Sequence, residues 1–381
     1  MASSEAIFPF RSWQHNRHVR IVGSGSCQDV PGLLAVGGNL SFGGDLKEPY
    51  VMRAWRGPER LPDIPERVPV GWLSPNGPPE RVIRFPRSRS LGVLYVTYWG
   101  RRLPSCHESG WRELGSAKGK VTVPPGNQVW LDVSARGAQD LSPLADLTPG
   151  SIQVASFFWT QVRGYQLEPL ERLRGLRDLS FFETDTNDDD LALISGYLPD
   201  LERLDLSGTA VTDDGLKHVA GLRKLRELAL RDTDIDGPGL VHLEALPRLS
   251  GLNLGLTMVG DESAEILSRM TGLRELLLFH AEMSDAGVAK IEALKELRTL
   301  SLEECGDGIT DVSMVAVSRM LRLQHLDLMG TRVTDSGLAL LHTLKSLKWI
   351  ELCSTWVSEE AVEALKKAMP RCRVCSEYGF K

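Results

Sequence analysis

No apolar run in this chain reaches the roughly 20 residues a membrane-spanning helix needs. The first residues, Met1 to Phe10, lack a basic stretch followed by an apolar core. The expectation is a chain with neither anchor nor export signal, without a membrane partner and cytoplasmic by default. Cysteine is scarce, six in 381 residues, too few and too scattered for a disulfide framework. The eight histidines make no H-E-x-x-H or other ligand spacing, so neither metal nor cofactor is expected. Positive charge is short over most of the length. Residues 1–127 hold 17 Lys and Arg against 10 Asp and Glu, while residues 128–381 hold 27 against 40, for a net charge of -6. An acidic body cannot displace the counterions of phosphates, so nucleic acid is not an expected partner. A basic front on an acidic body suits docking of one on the other, or two separate partners.

What the chain does have is a repeat. Ile152, Leu176, Leu201, Leu225, Leu249, Leu273, Leu297, Leu323 and Leu347 follow one another at 24, 25, 24, 24, 24, 24, 26 and 24 residues. Such a period marks stacked structural units. Each opens with an L-x-x-L-x-L hexamer or an apolar variant of it, as in Leu201, Leu204, Leu206 and again in Leu225, Leu228, Leu230. The alternation ending it predicts a short strand with one buried face, and a return segment after each strand makes neighbouring strands parallel. Three residues on stand Thr160, Thr184, Thr209, Thr233, Thr257, Ala281, Cys305, Thr331 and Thr355. A small polar side chain turned inward there is expected to hydrogen-bond the backbone of a neighbouring coil. Ala281 cannot, which predicts a weaker ladder at that unit. Val211-Thr-Asp213, Met283-Ser-Asp285, Ile309-Thr-Asp311 and Val333-Thr-Asp335 supply helix caps. Stripes such as Leu216, Val219, Leu222 and Leu338, Leu341, Leu344 then read as helices facing inward.

At these residues the chain resembles the leucine-rich-repeat family, and is most similar to the helix-containing subclass found in bacterial repeat proteins and in the substrate-binding arms of F-box proteins. The resemblance covers residues 128–375. It implies an α/β fold, a solenoid with a curved parallel β-sheet on the concave face and helices on the convex one, and it implies no single activity. The 26-residue unit departs from the pattern near Gly306-Asp307-Gly308, where a local bulge is expected.

Open solenoid ends expose core and need covers. Trp130-Leu-Asp-Val133 reads as a degenerate first strand, residues 361–369 as the last helix, and Cys372-Arg-Val374 as a closing strand. Residues 68–127 read as a small β-rich N-terminal capping domain, with strands at 82–85, 93–99 and 121–123, another at 129–133, and a turn at Pro124-Pro-Gly-Asn127 before the last. Residues 1–67 form an irregular Gly- and Pro-rich segment, and residues 376–381 a tail.

The candidate chemistry is thin. Gly23-Ser-Gly25-Ser lacks the Lys and third glycine of phosphate loops and reads as a turn. Asp185-Thr-Asn187-Asp-Asp189 begins like a calcium loop, but Asp190 and Gly196 stand where Gly and Glu are needed, so it reads as a solvated helix cap. Cys106-His107 sets a thiol beside a base in sequence, whereas catalytic pairs meet in space. Cys372 and Cys375 form a lone C-x-x-C. If Val374 pairs with Leu352, Cys375 comes to lie beside Cys353. Cys305 occupies an inward structural slot.

Residues between and just after the last two leucines of each strand should face outward. Large apolar side chains there form two clusters, Phe158, Trp159 and Phe182, then Leu256, Leu277, Phe279 and His280, with Trp349 as a third anchor. Arg177, Arg226, Arg274, Arg298 and Lys348 share one position, offset by Asp178, Glu227 and Glu275 into a charge-mixed rim. Exposed aromatics in a cluster suggest a contact site, and the first, nearest the front, is the one the chain itself is expected to cover. The leading expectation is a non-enzymatic protein-binding module using its concave face. The alternatives are a substrate-recognition subunit of a ubiquitin-ligase-like complex, on resemblance alone, and an enzyme whose site lies around Cys106 and His107.

Overall fold

The computed structural model describes residues 77–98, 106 and 110–376. The segment expected to be irregular, residues 1–67, lies outside them, as do Gly23, Gly25, His107 and all of the tail beyond Ser376. The description begins with β1 (Arg81–Arg84), which pairs antiparallel with β4 (Lys120–Val123) in a ladder of its own. β2 (Gly92–Tyr98) lies between β3 (Arg112–Ser116) and β5 (Asn127–Val133), antiparallel to both. On its other edge β5 pairs in parallel with β6 (Val154–Ser156), so antiparallel and parallel strands share one sheet. The sheet then adds one three-residue strand per repeat: β7 (Asp178–Ser180), β8 (Arg203–Asp205), β9 (Glu227–Ala229), β10 (Gly251–Asn253), β11 (Glu275–Leu277), β12 (Thr299–Ser301), β13 (His325–Asp327), β14 (Trp349–Glu351) and β15 (Arg373–Cys375). The expected strands are present with shifted ends. β3 was not anticipated, because Arg-Glu-Leu-Gly-Ser has no apolar alternation and buries none of its residues.

Short helices return the chain: α1 (Ala135–Ala138), α2 (Asp188–Tyr197), α3 (Leu216–Val219), α4 (Ala264–Arg269), α5 (Asp285–Ile291), α6 (Asp311–Val317), α7 (Asp335–Leu340) and α8 (Glu359–Ala368). Tighter 3-10 turns replace them at Gly164–Arg172 and Pro238–Ala245, and a short one at Gly306–Gly308 absorbs the extra residues of the long repeat. The leucines between strand and helix form one continuous core. Burying each such side chain stabilises by about 1.5–3 kcal/mol, and none could be buried by a single coil alone.

The Thr-Asp pairs do more than cap. Thr310 caps α6 by accepting from the Val312 N–H, while Asp285 of the preceding coil accepts from the Thr310 N–H at 2.9 Å and its hydroxyl at 2.6 Å, and from the N–H and hydroxyl of Ser313. The same clamp joins Asp188 to Thr212, Asp261 to Ser284, Asp311 to Thr334 and Asp335 to Ser358. Burial pushes the Asp285 carboxyl up, but the bonds from Ser313 and Thr310 outweigh it and hold the group below the usual carboxylate range. The clamp explains the glycine two residues after the Asp: a Cβ on Gly215 or Gly337 would collide with the clamping carboxylate of Asp188 or Asp311.

The threonine ladder differs from expectation. Each hydroxyl donates within its own coil, to the carbonyl three residues back, as from Thr257 to Leu254 and Thr331 to Leu328. The bend itself brings that carbonyl within reach. Ala281 leaves the Leu278 carbonyl without such a donor, and the Cys305 thiol of the next coil reaches back to supply one at 3.0 Å. The ladder is rerouted there, not left open.

Candidate functional site

The outward face of the sheet is built from three positions per coil: the first and third strand residues and the residue two further on. Just beyond them the chain turns through a left-handed residue in every coil. Trp159, Glu183, Asp232, Leu256, His280, Glu304 and Ser354 hold φ between 50° and 58°, and glycine holds the slot only at Gly208 and Gly330. This conformation costs a side-chain-bearing residue about 1–2 kcal/mol. It is offset because the strained N–H groups extend the ladder, as from Leu256 to the Phe279 carbonyl and from His280 to the Glu303 carbonyl, each 2.8 Å.

At the N-terminal end the chain covers its own aromatics. Tyr95 stacks on Trp130 at 4.4 Å, Trp111 meets Trp130 edge-on at 5.6 Å, and Cys106 is buried against Trp130 and Val154 with Phe158 packed alongside. The Trp130 indole N–H donates to Ser156 Oγ (2.8 Å), which donates to Asp132 (2.7 Å). Burial raises the Asp132 carboxyl, with Ser156 opposing. Burial, followed by the charges of Asp178 and Asp205, pushes the Cys106 thiol well above its ordinary range, the reverse of what a nucleophilic thiolate requires. Phe158 and Phe182 are half-buried and in edge contact, and Trp159 projects with 68% of its surface exposed.

The second cluster is assembled by the repeat itself. Arg231, Gly255 and Phe279 occupy one repeat position on three successive coils. A Cβ on Gly255 would collide with the Phe279 ring, so the glycine lets that ring lie across its coil toward Arg231, whose guanidinium sits 5.8 Å from the ring centroid. Leu256 and Leu277 are half-buried and His280 is exposed, its ring 6.4 Å from that of Phe279. The structure thus brings Leu256, Leu277, Phe279 and His280 onto neighbouring coils. Trp349 stands apart on β14, half-buried between His325 and Arg373 in register. Sequence reasoning missed Arg231 as a member, although a glycine between an Arg and a Phe in one repeat position was its signal. It also missed Trp356, 65% exposed with the Arg332 guanidinium 5.5 Å from its ring.

Toward the C-terminus the same face turns acidic. Asp327 and Glu351 are register partners, and Glu303 lies close by. Burial, aided by Glu303 and Glu351 and opposed by the Met329 N–H, pushes Asp327 up to about 7. Glu303 is raised by burial, then by Glu304 and Glu351. Cys353 and Cys375 bring their sulfurs within 4.0 Å, with β15 in a register that pairs Val374 with Ile350 and not with Leu352. Burial and the adjoining Glu351 raise the Cys353 thiol strongly. On the rim, Arg177 and Arg226 both approach Glu202, at 3.9 and 3.7 Å, which leaves the expected charge mixture. A hollow of about 250 Å³ at that rim is lined by Arg177, Glu202, Asp200 and Lys224, and by none of the apolar anchors.

A leucine-rich-repeat family model matches residues 197–220, 221–243 and 323–341. No curated protein matches the chain. Among solved structures it is similar to an internalin from Listeria monocytogenes, at 17% identity over 64% of this chain and 78% of that one, with a TM-score of 0.43. Internalin C2 of the same organism matches at 20% identity over 55% and 82%, TM-score 0.43. A repeat protein of Leptospira interrogans matches at 19% identity over 59% and 66%, TM-score 0.39. No helix among the described residues is long and apolar enough to cross a membrane. The matched segments are leucine-rich repeats, and the same strand-turn-helix grammar returns in every coil from β6 to β14, so these coils have the leucine-rich-repeat fold.

Proposed function

We propose that the chain is a protein-binding module that recognises its partner with the outward face of the sheet, centred on Leu277 and Phe279 with Leu256, His280 and Arg231 around them. The observation that carries this reading is the second cluster: half-buried apolar side chains, held by the backbone of three successive coils, with no core to fill. An aromatic stacked under an arginine on a rigid floor is a common hot-spot composition. Because the floor is already ordered by the ladder, little conformational entropy is lost on association. The first cluster contributes Trp159 at its open edge, with Phe158 and Phe182 behind it. Trp349 is a separate anchor toward the acidic end.

The test is affinity capture from native lysate with wild type beside a Leu277→Glu, Phe279→Glu variant of matched folding. A specific protein retained by wild type and lost by the variant supports the reading. Equal retention of the same protein by both overturns it.

A further inference from the structure

We propose that Cys353, Cys375 and Glu351 form a binding site for a thiophilic divalent cation of the zinc class, which ties the closing strand β15 to the last full coil. One ligand atom from each of the three residues lies within 4.8 Å of the other two. The sulfurs stand 4.0 Å apart. Two thiolates on a tetrahedral zinc ion, each about 2.3 Å from the metal, are separated by about 3.8 Å. The observed spacing therefore needs almost no adjustment to take a metal. A disulfide would need the sulfurs to close to about 2.05 Å. The carboxylate is already held beside the sulfurs, since Glu351 Oε1 accepts the Cys353 N–H at 3.1 Å and one of its oxygens lies within 4.8 Å of both thiols. Such backbone support of a ligand is what holds metal sites in shape.

The surroundings favour a cation. Asp327 adjoins Glu351 across the ladder and Glu303 stands near both, so the site lies at the negative end of the face. Glu351 and Cys375 are buried, and Cys353 is half-exposed, which leaves an approach from solvent. The C-x-x-C spacing misleads here. Cys372 turns its sulfur toward the Arg373 carbonyl at 3.8 Å and is not one of the three. On binding, each thiol gives its proton to solvent and both sulfurs ligate as thiolates, so two protons leave for one divalent cation.

The experiment is a cobalt(II) titration of the reduced full chain, followed by absorbance, with zinc displacement as the second step. Wild type and Cys372→Ser should both develop a sulfur-to-cobalt charge-transfer band and tetrahedral visible bands at one equivalent, and zinc should abolish them. Cys353→Ser and Cys375→Ser should lose the charge-transfer band's two-thiolate intensity, and Glu351→Gln should bind about tenfold more weakly or worse. Far-ultraviolet circular dichroism establishes that each variant is folded. If a serine variant is not folded, the Glu351→Gln and Cys372→Ser chains carry the decision. Absence of the band in folded wild type overturns the proposal. So does a band undiminished in Cys353→Ser, or one lost in Cys372→Ser but unaffected by Glu351→Gln.

Discussion

The two sides of the solenoid obey different rules. On the helix side five joints repeat one device: a Ser or Thr caps its own helix while the Asp of the coil before holds that cap, as Asp285 holds Thr310 and Asp311 holds Thr334. On the sheet side, the residue two beyond each strand reads Phe158, Phe182, Ser207, Arg231, Gly255, Phe279, Glu303, Met329 and Cys353 in successive coils from β6 to β14. A stack needs every joint to fit its neighbour, and where the Ser or Thr is missing another contact closes the joint, as Asp213 accepts the N–H groups of Asp236, Gly237 and Gly239. The outward side chains meet their neighbours by a different contact at each joint, as Arg203 meets Asp178 and Phe279 lies over Gly255, so chemistry differs from coil to coil there. The parts that repeat carry the fold, and in the proposed reading the parts that differ carry recognition.

The comparison can be broken by substitution, and the expected effects on stability fall in a definite order. Leu276→Ala, in the core beneath the apolar cluster, should cost about 2–5 kcal/mol in denaturant unfolding. A neutral result would mean the coils do not share one core. Asp327 tests the sheet side. Its folded pKa of about 7 lies above its ordinary value of 3.8, so the native state keeps a proton that the unfolded chain has released. Stability should therefore fall by about 2 kcal/mol as pH climbs from 5 to 8 with chelator present, and Asp327→Asn should flatten that slope. An unchanged slope in the variant would remove Asp327 as its source.

Asp285→Ala deletes a clamp and strands the donors of Thr310 and Ser313, for a loss of about 2 kcal/mol. The exposed Asp307→Ala is the control and should change little. Cys305→Ala removes the donor that replaces the missing Thr at 281, costing about 1 kcal/mol. Ala281→Thr should recover part of that loss in the Cys305→Ala background, and no recovery would deny the rerouted bond. Phe279→Ala should cost least, about 0.5–1 kcal/mol, because the half-buried ring lies over Gly255 beside Arg231 and His280, outside the core cluster. A loss as large as that of Leu276→Ala would make Phe279 a core residue and deprive the sheet face of its main anchor.

The strands, their parallel order and the inward stripes of the helices were legible because burial imposes a period on the sequence. The outward placement of Leu277 and Phe279 followed from the same alternation. What was not legible depended on contacts between coils. The hydroxyl of Thr257 is free to bond forward or back, and only the bend of the backbone decides it. The register of β15 depends on how Cys372-Arg-Val374 settles on an open edge, and two residues of slip separate the expected pairing from the observed one. Arg231 has no apolar character and joins the cluster only because Gly255 leaves room above its coil. β3 carries no alternation at all and is a strand because β2 offers it an edge.

The central claim is that the sheet face, not the helix face, meets the partner. The most direct measurement places a photo-crosslinking phenylalanine at position 277 of the full chain, and separately at position 315, an exposed site on α6. Both proteins are then irradiated in native lysate. The account predicts a discrete covalent adduct with one protein from position 277 and none from position 315. An adduct from position 315 alone would contradict it.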